Sequence, residues 1–371
     1  MPNGALSYIQ IMKLTKAINA AYLIGPFVAA ITVAVFWKNP PGSVAVLLIS
    51  LILIGAVLTA VHHAEVISAY VGRTLGALVL ALAVTVIEVG LIVAIMISSE
   101  GGAVTLGRDT VFSAVMITCN GIVGFSILAA SFRNSTPTFN SEGSGASLSA
   151  IATIATLSLV LPTFTRSSVG PTLTTAQLAF VSATSLGVYI LFLYVLTVRN
   201  REHFEDPDAK VVIPYSHKPT KSQFKLSIGL LLIALTAIIG MAKVISPSIE
   251  GVVLNAGLPL FVVAVAVALV VLAPESMAAF RSAKQGDLQT GFNLAYGSAL
   301  ASIGLTIPAL AIVSWIIGVE LQLGLSALEI VLFVLTLVVS VVTVSSHRVT
   351  FFQGGLHVVI FLAFLFLAVS P

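Results

Sequence analysis

Eleven runs of about 20 apolar residues, separated by glycine, proline or charge, constrain this chain more than any other feature of its sequence. A bilayer core about 30 Å thick is crossed by about that many helical residues. In lipid each helix must satisfy its own backbone N–H and C=O groups, so runs of this length are expected to become transmembrane helices. They fall near 17–37, 43–61, 74–98, 109–132, 147–164, 174–198, 226–245, 255–280, 288–317, 326–345 and 350–369. The expected fold is an all-α polytopic membrane protein. Only 8% of the 371 residues are charged and 58% are hydrophobic, whereas soluble domains carry about 25% charge. That balance excludes a soluble enzyme and a disordered scaffold. The net charge of +3 is too small and too scattered for a nucleic-acid surface. With Cys119 as the single cysteine, neither an intramolecular disulfide nor a thiolate metal site can form. There is no P-loop, HExxH, paired-aspartate motif or dinucleotide-binding glycine turn, so neither catalysis nor nucleotide-driven pumping is expected, and no cofactor.

The first run follows Lys13 and Lys16 but is too long for a secretory signal, and it closes on Trp37 and Lys38 as an interfacial end does; it reads as a retained helix. Placing the N-terminus in the cytoplasm puts 13 of the 17 Lys+Arg on that side. Only Lys38, Arg108, Arg166 and Lys243 then lie outside, so the positive-inside rule favours this orientation, with the C-terminus outside.

One connection, 199–225, is long and polar and reads as a solvated linker, with a regulatory or cation-sensing role for Glu202, Glu205, Asp206 and Asp208 as the alternative. The Ser/Thr/Gly-rich stretch 134–145 reads as an ordinary loop. The chain thus divides into a tail with a leading helix (1–42), five spans (43–198), the linker (199–225) and five more spans (226–371). A duplicated unit with an odd number of spans enters the membrane from opposite sides, which predicts two inverted repeats of the kind found in secondary transporters. Superposing Glu88 on Glu275 also places Ala81 and Leu82 on Ala268 and Leu269.

An ionisable side chain at the bilayer midplane costs several kcal/mol and usually acts on ions or protons. Glu88 lies mid-span in ALAVTVIEVGLIVAIM with no other charge within ten residues. Glu275 lies deep in VVLAPESMAAFRSAK, where Pro274 is expected to break the helix and free carbonyl ligands beside the carboxylate. Thr85, one turn before Glu88, and Ser113 and Ser298, early in the spans that follow each glutamate, are candidate hydroxyl ligands. His62, His63 and Glu65 are expected just beyond the second span, with a relay or gating role for His63 and Glu65 to set against a plain interfacial one. Asp287, Glu320 and Glu329 stand at span edges, where Asp287 and Glu329 are further candidates for relay or gating. His357, inside the last span, reads as a packing histidine.

Several segments together resemble the bacterial ChaA-type cation:proton antiporters of the calcium:cation antiporter superfamily. They are AVTVIEVGLIVAIM around Glu88, RDTVFS at 108–113, the stretch 272–308 containing PES and YGSALAS, VELQLGLSALEIV at 319–331, and HRVTFFQGGLHVVIFLAFL from His347. The resemblance implies a bacterial inner-membrane protein with a leading helix and two inverted five-helix repeats. It also implies that Glu88 and Glu275 bind the cation and exchange it for protons, with Ser298 and its first-repeat counterpart Ser113 beside them. Superfamily members of the vacuolar type carry an Asn where this chain has Thr85 and Leu272, and a Gln near Ala301. Fewer amide ligands leave either water in the coordination shell or a monovalent ion as the cargo. The expected activity is export of Ca²⁺, Na⁺ or K⁺ against protons. A cation channel without proton coupling and a structural membrane subunit are the alternatives. Beyond ions and lipid, no partner or oligomeric state is legible.

Overall fold

The computed structural model describes residues 3–38, 41–98, 103–205 and 218–371. Among them lie eleven helices long and apolar enough to cross a membrane. They are α1 (Asn3–Phe36), α2 (Ser43–Val71), α3 (Arg73–Ser98), α4 (Leu106–Ser131), α5 (Ser141–Phe164), α6 (Thr175–Arg199), α7 (Lys221–Asn255), α8 (Phe261–Gln285), α9 (Leu288–Ile317), α10 (Ala327–Val344) and α11 (Phe351–Val369). No strand occurs among the described residues beyond isolated bridges at Thr138–Arg348 and Thr172–Gln322. The protein is therefore an all-α, multi-pass membrane protein, with the number of spans expected from its apolar runs.

The sequence sets the ends of these helices through side chains that satisfy the orphan N–H groups of the first turn. Thr174 with Gln177, Ser326 with Glu329 and Thr350 with Gln353 form reciprocal capping boxes. Asn140 accepts from the N–H groups of Glu142 and Gly143, and Asp287 accepts from that of Thr290. Gly286 and Gly318 close α8 and α9 in left-handed conformations (φ 103° and 76°) that a side chain would resist.

Three sequence expectations are corrected. The stretch 134–145 is not loop throughout, because the Asn140 cap starts α5 at Ser141. The second span continues ten residues past Val61 to Val71, so His62, His63 and Glu65 lie within α2 rather than beyond it. Nor does Pro274 break its helix: α8 runs from Phe261 to Gln285 through the proline. Proline in a helix deletes one hydrogen bond, here the one to the Val270 carbonyl, and neighbouring packing in a membrane protein tolerates that loss.

Packing divides the chain into two compact units. One comprises Met1–Ala94 and Tyr215–Ser248, and the other Ile95–Pro214 and Ile249–Pro371. In the first, α1 packs along α2. In the second, α4 is the innermost helix, with 89% of its most apolar stretch buried, against 11–50% in the other spans. Around it α8 packs on both α4 and α9, and α11 packs on the second half of α4.

Candidate cation site

Glu88 sits inside α3, 15 residues from its first residue and ten from its last, and is only 3% exposed. At 1.5 Å per residue both helix ends lie at least about 15 Å away, which is bilayer-midplane depth. Thr85, one turn earlier on the same face, is also buried. Glu275 is half-buried in α8, ten residues before Gln285. The helix that carries it packs on both α4 and α9, which bear the two candidate serines. Ser113 is fully buried and donates to the Asp109 carbonyl at 2.6 Å; Ser298 is half-buried. In the spans of both serines the α-helix opens into a π turn, at Ile117–Ile122 in α4 and Ser302–Thr306 in α9. Such turns recur at functional sites because they disturb the regular pairing of backbone groups. The two glutamates fall in different packing units.

The remaining candidates have local tasks. Asp287 caps α9, and Glu329 holds the backbone N–H of Ser326 at 2.6 Å. Glu65 is exposed on α2. His63 is buried, with Nε2 3.0 Å from the Tyr22 carbonyl and Nδ1 3.2 Å from Ser227 Oγ, while the ring of His62 stacks on that of Tyr22. Of the linker acids, Glu205 pairs with Arg201 at the surface, and Asp206 and Asp208 lie outside the described residues.

Two polar clusters went unnoticed in the sequence. At the start of α4, Arg108 and Asp109 form a largely buried ion pair (2.7 Å); Thr105 donates to the same carboxylate, and Arg108 also donates to the Gly324 carbonyl. Together with Glu329, Phe112, Ser326 and Phe364 they line a cavity of about 180 Å³. An Arg-Asp dipeptide at the head of an apolar run was the available signal. Deeper in the same helix, Asn120 of the π turn bonds to Thr336 of α10 and to His357 of α11, and His357 in turn to Thr343. The packing role expected of His357 fits these contacts. Among the described residues no group of three His, Cys, Asp or Glu side chains is placed to hold a metal ion.

Eleven apolar helices with a carboxylate buried at mid-span fit an ion transporter. The chain matches the family described as sodium/calcium exchanger protein over residues 42–198 and 226–370, and it belongs to that family. It is accordingly a secondary transporter rather than an enzyme. It is 39% identical to y4hA of Sinorhizobium fredii (strain NBRC 101917 / NGR234) over 350 residues, 94% of this chain and 95% of that one. It is 31% identical to the sodium-potassium/proton antiporter ChaA of Escherichia coli (strain K12) over 347 residues, 91% and 93% of the two chains. Among solved structures, native YfkE superposes with a TM-score of 0.70 at 17% identity, covering 95% of this chain and 99% of that one. The H⁺/Ca²⁺ exchanger CAX gives 0.70 at 16% identity, covering 95% and 88%. At such identities the structures speak for the fold.

Proposed function

We propose that this protein is a cation:proton antiporter that exports Ca²⁺, Na⁺ or K⁺ from the cytoplasm in exchange for external protons, with Glu88 and Glu275 as the exchanging carboxylates. The observation that carries the reading is Glu88, a carboxylate 3% exposed at the middle of a 26-residue apolar helix. Such a group is costly in lipid and is retained where it handles ions or protons. The name of the relative ChaA, a sodium-potassium/proton antiporter, supports proton coupling and monovalent cargo.

In this reading cation and protons compete for the same oxygens. Two protons or one divalent ion neutralise two carboxylates, whereas a monovalent ion neutralises one and leaves the other to a proton. Only the neutralised states cross cheaply, and this couples the two fluxes. Thr85, Ser113 and Ser298 add hydroxyl oxygens, and water completes the shell of a larger ion. Each glutamate helix is followed in chain order by a span with a π turn, although α5 (Thr156–Val160) and α6 (Val195–Arg199) carry one too; with the odd span count of each half, this supports descent of 43–198 and 226–371 from one duplicated five-helix unit inserted in opposite senses.

Everted vesicles with an acidified lumen and a pH-sensitive dye test the proposal. Addition of Ca²⁺, Na⁺ or K⁺ is expected to release lumenal protons, and Glu88→Gln and Glu275→Gln are each expected to lower that release at least about 100-fold, as loss of a charged ligand does. Cation flux without proton movement would indicate a channel instead. Undiminished exchange in both variants, at saturating and subsaturating cation, would remove the carboxylates from the mechanism.

A further inference from the structure

The buried polar chain through His357 has a direction that its geometry fixes. Thr336 Oγ1 lies 3.4 Å from Met116 Sδ, and a thioether can only accept, so the Thr336 hydroxyl hydrogen points at the sulfur. Thr336 then accepts from Asn120 Nδ2 at 2.9 Å. That orients the amide with Oδ1 toward His357 Nδ1, 3.2 Å away, so Nδ1 carries a hydrogen. In the neutral ring Nε2 is then left to accept from the Thr343 hydroxyl at 3.0 Å. Asn120, Thr336, Thr343 and His357 are each at most 1% exposed, and both ring nitrogens are occupied. The chain ends at a sulfur that cannot pass a proton on, so it is no proton wire.

Its anchor is the π turn of α4. Asn120 lies within Ile117–Ile122, and α8, which carries Glu275, packs on that turn as well as on the α-helical residues to either side. A π turn has no preferred position in a helix of ordinary sequence, so tertiary contacts must pin it.

We propose that His357 is a positioning residue of the exchange site: a neutral Nδ1–H imidazole that holds Asn120, and through it the π turn against which the Glu275 helix packs, and that carries none of the exchanged protons. The functional half of this proposal rests on the antiporter reading; the tautomer half does not.

The experiment uses the full-length protein in proteoliposomes. Histidine ring ¹⁵N spectra of wild type, with His357 assigned by the signal lost in His357→Asn, are expected to show hydrogen on Nδ1 and not on Nε2, unchanged between pH 6 and 8. Exchange driven by Na⁺, K⁺ and Ca²⁺ is then compared across variants. His357→Leu is expected to raise the half-saturating cation concentration about fivefold or more without moving the pH dependence. His357→Asn, whose amide can still donate to Asn120, is expected to recover most of that loss. If His357→Leu does not fold, Thr343→Val removes the Nε2 contact alone and is expected to give a smaller rise, about twofold. An Nε2–H or doubly protonated ring would overturn the tautomer. A folded Leu variant with wild-type half-saturation, or a pH profile displaced in the Asn variant, would overturn the positioning role. If wild type exchanges no cation for protons, the antiporter reading fails while the ring spectra still decide the geometry.

Discussion

Arg108 and Asp109 show what a buried pair costs when it is split. Their side chains are 14% and 7% exposed, and the guanidinium donates from Nη1 to the Gly324 carbonyl as well. Removing one partner leaves the other charge desolvated, at about 3–5 kcal/mol, while an apolar pair of similar volume can be nearly neutral. Asp109→Asn is therefore expected to lower stability by about 3 kcal/mol and to depress the thermal unfolding midpoint in detergent. The double variant Arg108→Met with Asp109→Leu is expected to regain most of the loss. Equal midpoints for wild type and Asp109→Asn would mean that the pair is hydrated. At this scale the sequence was half legible. Glu88 stood out because no other charge lies within ten residues of it, and it is 3% exposed. Asn120 did not, since its partners Thr336 and His357 are 216 and 237 residues away and only packing brings them together. Asp109 was hidden by its place at a span edge, where a charge usually meets water.

Helices reveal how one element repairs another. Pro26 interrupts α1 without an N–H of its own, so the carbonyl of Tyr22, four residues earlier, loses its helical donor. His63 of α2 stands 3.0 Å from that carbonyl and supplies the hydrogen from Nε2, while Ser227 of α7 donates to Nδ1. His63→Leu should orphan the carbonyl and cost about 1–3 kcal/mol. In a Pro26→Ala background, where the helix regains its own donor, the same substitution should cost at least about 1 kcal/mol less. A thermal-unfolding double-mutant cycle with no coupling would refute the repair. Between α4 and α11 the contact is set by small residues. A Cβ on Gly124 would come within 2.9 Å of His357 Cβ and 3.0 Å of the Val358 nitrogen, and one on Gly354 within 2.9 Å of the Ile127 side chain. Gly124→Leu must push the helices apart and is expected to lose at least about 1–3 kcal/mol by overpacking. Gly187→Ala, with nothing within 4 Å, is expected to cost nothing measurable. Span number and most boundaries could be read from hydropathy alone, because lipid leaves the backbone only one solution. What misled was local polarity. Two histidines and a glutamate looked like the end of α2, and a proline looked like the end of half a helix, yet α2 continues with His62 and His63 partnered from α1 and α7, and α8 runs on through Pro274.

At the scale of the whole molecule, the expected orientation, with the ends of the chain on opposite faces of the membrane, rests on the distribution of charge. Of the 17 Lys and Arg residues, 13 fall on one set of connections, and the bias remains 7 to 4 when the six in 199–225 are set aside. The four on the other face include Arg108, already paired with Asp109, and Lys243, whose ammonium lies 5.0 Å from the Trp37 ring centre. That last contact brings together, from helices far apart in sequence, two residues that the charge count assigns to one face. Alkaline phosphatase fused after residue 371 is therefore expected to be active and a fluorescent protein there dark, with the reverse for the same reporters placed in 206–217. The opposite pattern would invert the protein in the membrane. It would leave proton coupling and both carboxylates untouched, and would turn the proposed export of cations into uptake, so that direction of transport rests on this charge count and on no feature of the carboxylates themselves.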